Sequence, residues 1–129
     1  MRLKKRNIEL EMMLMDLQSI LPHRDKAGYV AARNTRIIKD TLTEYLDFKV
    51  DLIRKYGKAD KDSDGNELDT ISIYPDSPEF EAFSKEFDEI KNIEHEVDLM
   101  TMNYDEVIGI LNGEEILMLE WMFTEQEVS

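Results

Sequence analysis

The chain has 129 residues, a length for one domain spanning 1–129 rather than two independent ones. Its 29 Asp+Glu against 16 Lys+Arg leave a formal net charge of −13, and 42% hydrophobic with 35% charged residues is a soluble globular balance, not a disordered one. Cysteine is absent, which excludes disulfides, thiolate metal sites and cysteine catalysis, and no run of about 18 apolar residues offers a membrane span.

In chain order, residues 1–6 form a short basic segment with Arg2, Lys4, Lys5 and Arg6. Glu9, Glu11 and Asp16 interrupt the apolar stretch after it, so the N-terminus does not read as a signal peptide. From Ile8 to Leu21, Leu10, Leu14, Leu17 and Leu21 keep helical spacing, Met12, Met13 and Met15 widen the stripe, and Pro22 ends it. Asp25 to Tyr56 is the longest periodic stretch, with Val30, Asn34, Ile38, Thr41, Tyr45, Phe48, Leu52 and Tyr56 on one stripe. A helix of roughly 30 residues spans about 45 Å, longer than the diameter of about 30 Å expected for a globule of this size. It therefore bends, projects, or is covered by a partner. Asn34 is a polar residue in that seam, a position that bonds within the monomer or fixes a partner's orientation.

Residues 57–70 read as a polar loop, and Ile71 to Tyr74 as a short strand. Ser77-Pro78 has the form of an N-cap with proline at N1, and it opens a helix with Phe80, Phe83, Phe87 and Ile90 on one face. That stripe is predicted to be core. Ile93 to Met102 alternates with period two, the pattern of a half-buried strand pairing with Ile71–Tyr74 or with the N-terminal segment. Asn103 with Glu106 resembles a capping box, opening a short helix that Asn112-Gly113 closes. Glu114 to Phe123 reads as another short helix, and residues 124–129 as a flexible tail.

The predicted fold class is α+β, mainly α: one long helix packed with two or three shorter helices, plus a small β element. Charge is uneven along it. Residues 1–55 hold 12 Lys+Arg and 8 Asp+Glu, a net of +4, whereas residues 56–129 hold 4 Lys and 21 Asp+Glu, a net of −17. Such an excess repels phosphates and disfavours nucleic acid as a direct ligand.

Chemistry-bearing motifs are weak. Asp60, Asp62, Asp64 and Gly65 match the opening of a calcium-binding EF-hand loop, but its closing bidentate glutamate position holds Ile71. The segment reads as an Asp-Gly turn, with weak cation binding left open. His95 is flanked by Glu94 and Glu96, yet on a strand it faces away from both and reads as a satisfied, partly buried histidine. His23, after Pro22, is predicted to be exposed. Paired carboxylates abound, and no spacing singles out an acid/base pair or a triad. No catalytic, metal or cofactor-binding residue is assigned, and the chain is read as a non-enzyme without cofactor.

The stretches RLKKRNIEL, VAARNTRIIKD, LIRKYGKADKDSDGN and FEAFSKEFDEIKNIEHEVDL cover most of the chain. In that order they resemble a family of small bacteriophage and prophage proteins of Gram-positive hosts, a domain of unknown function. The Met-rich first helix departs from that family's usual look. The resemblance implies a phage origin and a cytoplasmic location in the bacterial host, and it assigns no activity. With the acidic charge it leads to an expected role: an acidic inhibitor, in effect a DNA mimic, that masks a basic surface of a host nucleic-acid-binding protein, with anti-phage defence enzymes a natural target class. The contact residues expected are Glu79, Glu81, Asp88, Glu89, Glu94, Glu96 and Asp98. The alternative is a phage assembly component acting through helix packing and homo-oligomerisation. A gel-shift assay at physiological salt is expected to show no tight binding of duplex DNA.

Overall fold

A computed structural model of the protein describes residues 1–125. Its element order is β1 (Arg2–Arg6), α1 (Asn7–Leu17), α2 (Lys26–Tyr56), β2 (Lys58–Lys61), β3 (Glu67–Ser72), α3 (Pro78–Lys91), β4 (Glu94–Asp98), β5 (Met102–Asn103), α4 (Gly113–Met118) and β6 (Phe123–Thr124), with 3-10 turns at Tyr104–Glu106 and Glu120–Met122. The expected mainly-α arrangement with one small β element is therefore corrected. The fold is mixed α+β, and its strands form three separate two-stranded sheets: β1–β4, β2–β3 and β5–β6. The first two are antiparallel and the third is parallel.

The reason lies in the charged segments. The basic start does not merely lead into a helix; it pairs as β1 with β4, Leu3 opposite Val97 and Lys5 opposite His95. Met1 extends the ladder, its ammonium donating to the Leu99 carbonyl and its carbonyl accepting from the Leu99 N–H. Of the two pairings open to the 93–102 segment, the N-terminal one forms. Ile71 pairs instead with Ala59 in the β2–β3 hairpin, so the segment read as a loop over 57–70 carries two strands. Its turn is built by Asp62, whose Oδ1 accepts from the N–H groups of Asp64 and Asn66, and by Gly65 at φ +83°, where a side chain would be strained.

Two compact units divide the chain, one formed by Met1–Leu42 with the chain from Glu94 onward, the other by Thr43–Ile93. The first unit holds most of the buried hydrophobic side chains, among them Leu10, Leu17, Ile20, Val30, Ile38, Leu42, Leu99 and Met122. Asn34 lies fully buried within it. Its amide nitrogen donates to the Met100 carbonyl at 3.0 Å, and its Oδ1 accepts from the Met100 N–H at 2.8 Å. In the second unit, Tyr45 and Leu52 are the buried hydrophobics among the described residues. The aromatic stripe of α3 is less enclosed than its spacing predicts: Phe83 and Phe87 stack at 5.5 Å and Phe87 meets Tyr45, but no α3 residue is fully buried.

Three boundaries differ from expectation. The first helix ends at Leu17, and i→i+3 turns carry the chain to Ile20. Met12 and Met15 are 61% and 70% exposed, so the helix buries a narrower face than its methionines suggest. Asn112-Gly113 opens α4 rather than closing a helix, because the Asn112 side chain caps Glu115 N–H at 2.8 Å and Glu115 returns a bond to Asn112 N–H. Phe123 and Thr124 pair with Met102 and Asn103; the rest of the expected flexible tail, residues 126–129, lies outside the described residues. Among the described residues no helix is long and apolar enough to cross a membrane.

Replacing Asn34 by Leu leaves both the N–H and the C=O of Met100 without their partner. The expected loss is roughly 2–4 kcal/mol of unfolding free energy, measured by urea denaturation.

Candidate functional site

The acidic residues expected to form one contact face fall into two sets with different surroundings. Glu94, Glu96 and Asp98 do share the exposed face of β4. The register sets Arg6, Lys4 and Arg2 directly opposite them on β1. Lys4 Nζ lies 3.2 Å from Glu94, and the Met1 ammonium lies 3.1 Å from Asp98. Cross-strand charge pairs of this kind are each worth about 0.2–1 kcal/mol, but together they neutralise the face. Charge reversal on β4 would therefore put like charges across the ladder and report on folding as much as on a partner.

The second set lies on α3. Ser77 Oγ accepts from Phe80 N–H at 3.2 Å and fixes where the helix starts, while Glu79 and Glu81 in the first turn complement the macrodipole. Asp88 pairs with Lys91 one turn on, at 2.6 Å. Glu86 is held below the usual carboxylate range by the Tyr56 hydroxyl and by Lys55, whose Nζ is 3.3 Å away. Glu79, Glu81 and Glu89 make no ion pair among the described residues.

The EF-hand-like segment uses its carboxylates internally. Asp60 accepts from Thr70 Oγ1 at 2.7 Å and Ser72 Oγ at 3.0 Å, which lowers its pKa, and Asp62 is engaged by the turn amides. Among the described residues no group of three His, Asp or Glu side chains is placed to hold a metal ion. His95 Nε2 donates to Asn7 Oδ1 at 2.8 Å, the satisfied and partly buried state expected of it.

His23, predicted to be exposed, is not. Its Nε2 lies 2.9 Å from Glu115 Oε2 and its Nδ1 3.6 Å from Asp25 Oδ2, and its side chain is 25% exposed. Gly28 lets α2 begin against this segment, since a Cβ there would collide with the His23 carbonyl. The hydrogen bond to Glu115 raises the His23 pKa above its ordinary 6.5, with Asp25 adding to it, and the Asn112 N–H and His23 together lower that of Glu115. No sequence signal joins His23 to Glu115; they are 92 positions apart. The β1–β4 ladder did leave one: Arg2, Lys4 and Arg6 alternate with Leu3 as Glu94, Glu96 and Asp98 alternate with Val97.

No protein-family model, curated protein or solved structure matches this chain.

Because the folded pKa of His23 is raised, its contribution to stability is complete below the ordinary value of 6.5 and is lost as pH rises through the folded value. The melting temperature is expected to fall across that window, as measured by circular dichroism, and Glu115→Gln is expected to flatten the fall. Glu115 works in the opposite sense: its contribution is present above the ordinary carboxylate value and is lost as pH drops through its lowered one.

Proposed function

We propose that this chain is a non-enzymatic binding protein whose acidic surface occupies a basic surface of a partner, of the kind a nucleic-acid-binding protein offers to phosphates. The observation that carries the reading is the α3 face. Glu79, Glu81 and Glu89 make no ion pair among the described residues, whereas the carboxylates of β4 face cations of their own chain. Glu81, Asp88 and Glu89 are exposed on one side of α3, with the single cation Lys85 between Glu81 and Glu89, so that side keeps a net negative charge. Carboxylates on a helix side can meet Lys and Arg side chains that otherwise grip a phosphate backbone. Its long-range field speeds encounter with a basic partner. The contact set this supports is Glu79, Glu81 and Glu89; Asp88 stands outside it because Lys91 pairs with it, and Glu94, Glu96 and Asp98 because β1 covers their charge.

The test is interferometry against a panel of basic bacterial nucleic-acid-binding proteins, with duplex DNA as competitor. Binding should be displaced by DNA and should weaken as salt is raised. Glu81→Lys/Glu89→Lys should slow association by about tenfold or more while leaving melting nearly unchanged, since exposed charges contribute little to folding. Binding that DNA does not displace, or that survives this double reversal, would remove α3 from the contact.

A further inference from the structure

The exposed surface of α2 carries two short patterns that mirror one another. In the first unit, Tyr29, Ala32, Arg33 and Arg36 line a concavity of about 280 Å³ on the helix. Tyr29 is 61% exposed, and neither arginine makes an ion pair among the described residues, although the chain carries 29 carboxylates. Ala32 is the smallest of the four lining residues, and the other three are a tyrosine and two arginines. In the second unit, Glu44, Asp47 and Phe48 are exposed on α2, and Phe48 keeps 48% of its surface in solvent.

The spacings match in reverse. Ala32, Arg33 and Arg36 step by one and three; Phe48, Asp47 and Glu44 step by one and three in the opposite direction. A single antiparallel register therefore sets Phe48 against Ala32, Asp47 against Arg33 and Glu44 against Arg36. Each contact is chemically apt: a ring over the Ala32 methyl beside Tyr29, and two Arg–carboxylate pairs.

We propose that the Tyr29–Ala32–Arg33–Arg36 hollow is the docking site for Glu44, Asp47 and Phe48 of a second copy of this chain. Each copy carries both halves of the match, so the contact is reciprocal, as in a two-fold dimer. Charge complementarity selects this occupant. Two isolated arginines cannot offset the phosphate row of a nucleic acid for a chain of net charge −13, whereas they do match two carboxylates at the same spacing. The net charge of the two copies opposes their approach, but at physiological salt the field is screened within about 8 Å, and the local pairs decide. The register has one cost: it brings Asp40 of each copy to the axis. The surface involved does not include α3, so the dimer and the acidic contact face stand or fall separately.

Sedimentation velocity on the full chain at about 100 μM is expected to show a dimer. Arg33→Glu/Arg36→Glu, and separately Glu44→Arg/Asp47→Arg, should each weaken self-association by about tenfold or more with an unchanged circular dichroism spectrum. An equimolar mixture of the two variants should recover a dimer, because each then supplies the charge the other lacks; misfolded proteins would not do so. Ala32→Trp, an exposed change that fills the hollow, should also give monomer, and Asp40→Asn should tighten the dimer. A monomeric wild type, a mixture that stays monomeric, or an Ala32→Trp variant that still dimerises would overturn the proposal.

Discussion

The first unit depends on one uncharged contact, the pair of hydrogen bonds between the Asn34 side chain and the Met100 backbone. A carboxamide with no solvent exposure in the middle of a helix is costly unless both its ends are satisfied. Met100 meets both requirements, because its N–H and C=O are left unpaired where the chain leaves β4. The side chain thus acts as one residue of a strand partner, offered by a helix. It fixes where the chain goes after Asp98, and Leu99 and Met102 on either side enter the core. The neighbouring β4 in turn holds β1, which leads directly into α1 and its buried Leu10, Met13 and Leu17.

The charge pattern then has a simple cause. The basic first half of the sequence and the acidic second half do not remain two surfaces. β1 and β4 lie about 90 positions apart, and their pairing brings a cationic face against an anionic one. Backbone bonds and the burial of Val97 supply most of that pairing, since exposed ion pairs add only a few tenths of a kcal/mol each. The charges act mainly on register. A slip of one residue would set Lys4 or Arg6 beside Val97 or His95 and turn Leu3 to the solvent face. On α3, by contrast, five carboxylates meet only Lys85 and Lys91 on their own helix, so α3 keeps a net negative charge.

Much of the helical part is legible in the sequence because helices announce themselves locally. The unbroken period of α2 and the Ser77-Pro78 start of α3 are signals contained in a few consecutive residues, whereas the Asn103/Glu106 capping box opens only the 3-10 turn Tyr104–Glu106 and not the helix expected after it. The strands are harder to read. In β2–β3 nearly every residue is half or fully exposed, so neither face leaves an apolar alternation, and Lys58–Lys61 looks like a loop. In β1 the alternation exists but is written in arginine and lysine, residues whose identity suggests solvent. Of the site, the α3 carboxylates are readable from sequence. The pairing of the β4 segment with the N-terminal one is readable as one of two alternatives, through the matching alternations, but the meeting of His23 with Glu115 is not, because it depends on a contact across most of the chain.

The two units also differ in what holds them. The first closes over a continuous set of aliphatic side chains and two buried polar residues with partners, Asn7 and Asn34. The second relies on Tyr45, Leu52 and the half-covered rings of Phe83 and Phe87, assisted by Lys49 poised over Phe87 and by the Lys55–Glu86 pair. Burial of apolar area contributes about 25 cal/mol per Å², so rings left half in water give up much of their worth. Few enclosed contacts mean a lower cost of local opening. The rings of Phe83 and Phe87 therefore keep apolar area in water that the fold leaves unused. What the two units share is α2, whose Val30, Ile38 and Leu42 are buried in the first and whose Tyr45 and Leu52 are buried in the second, so the thinner core of the second unit rests on a helix that the first already fixes.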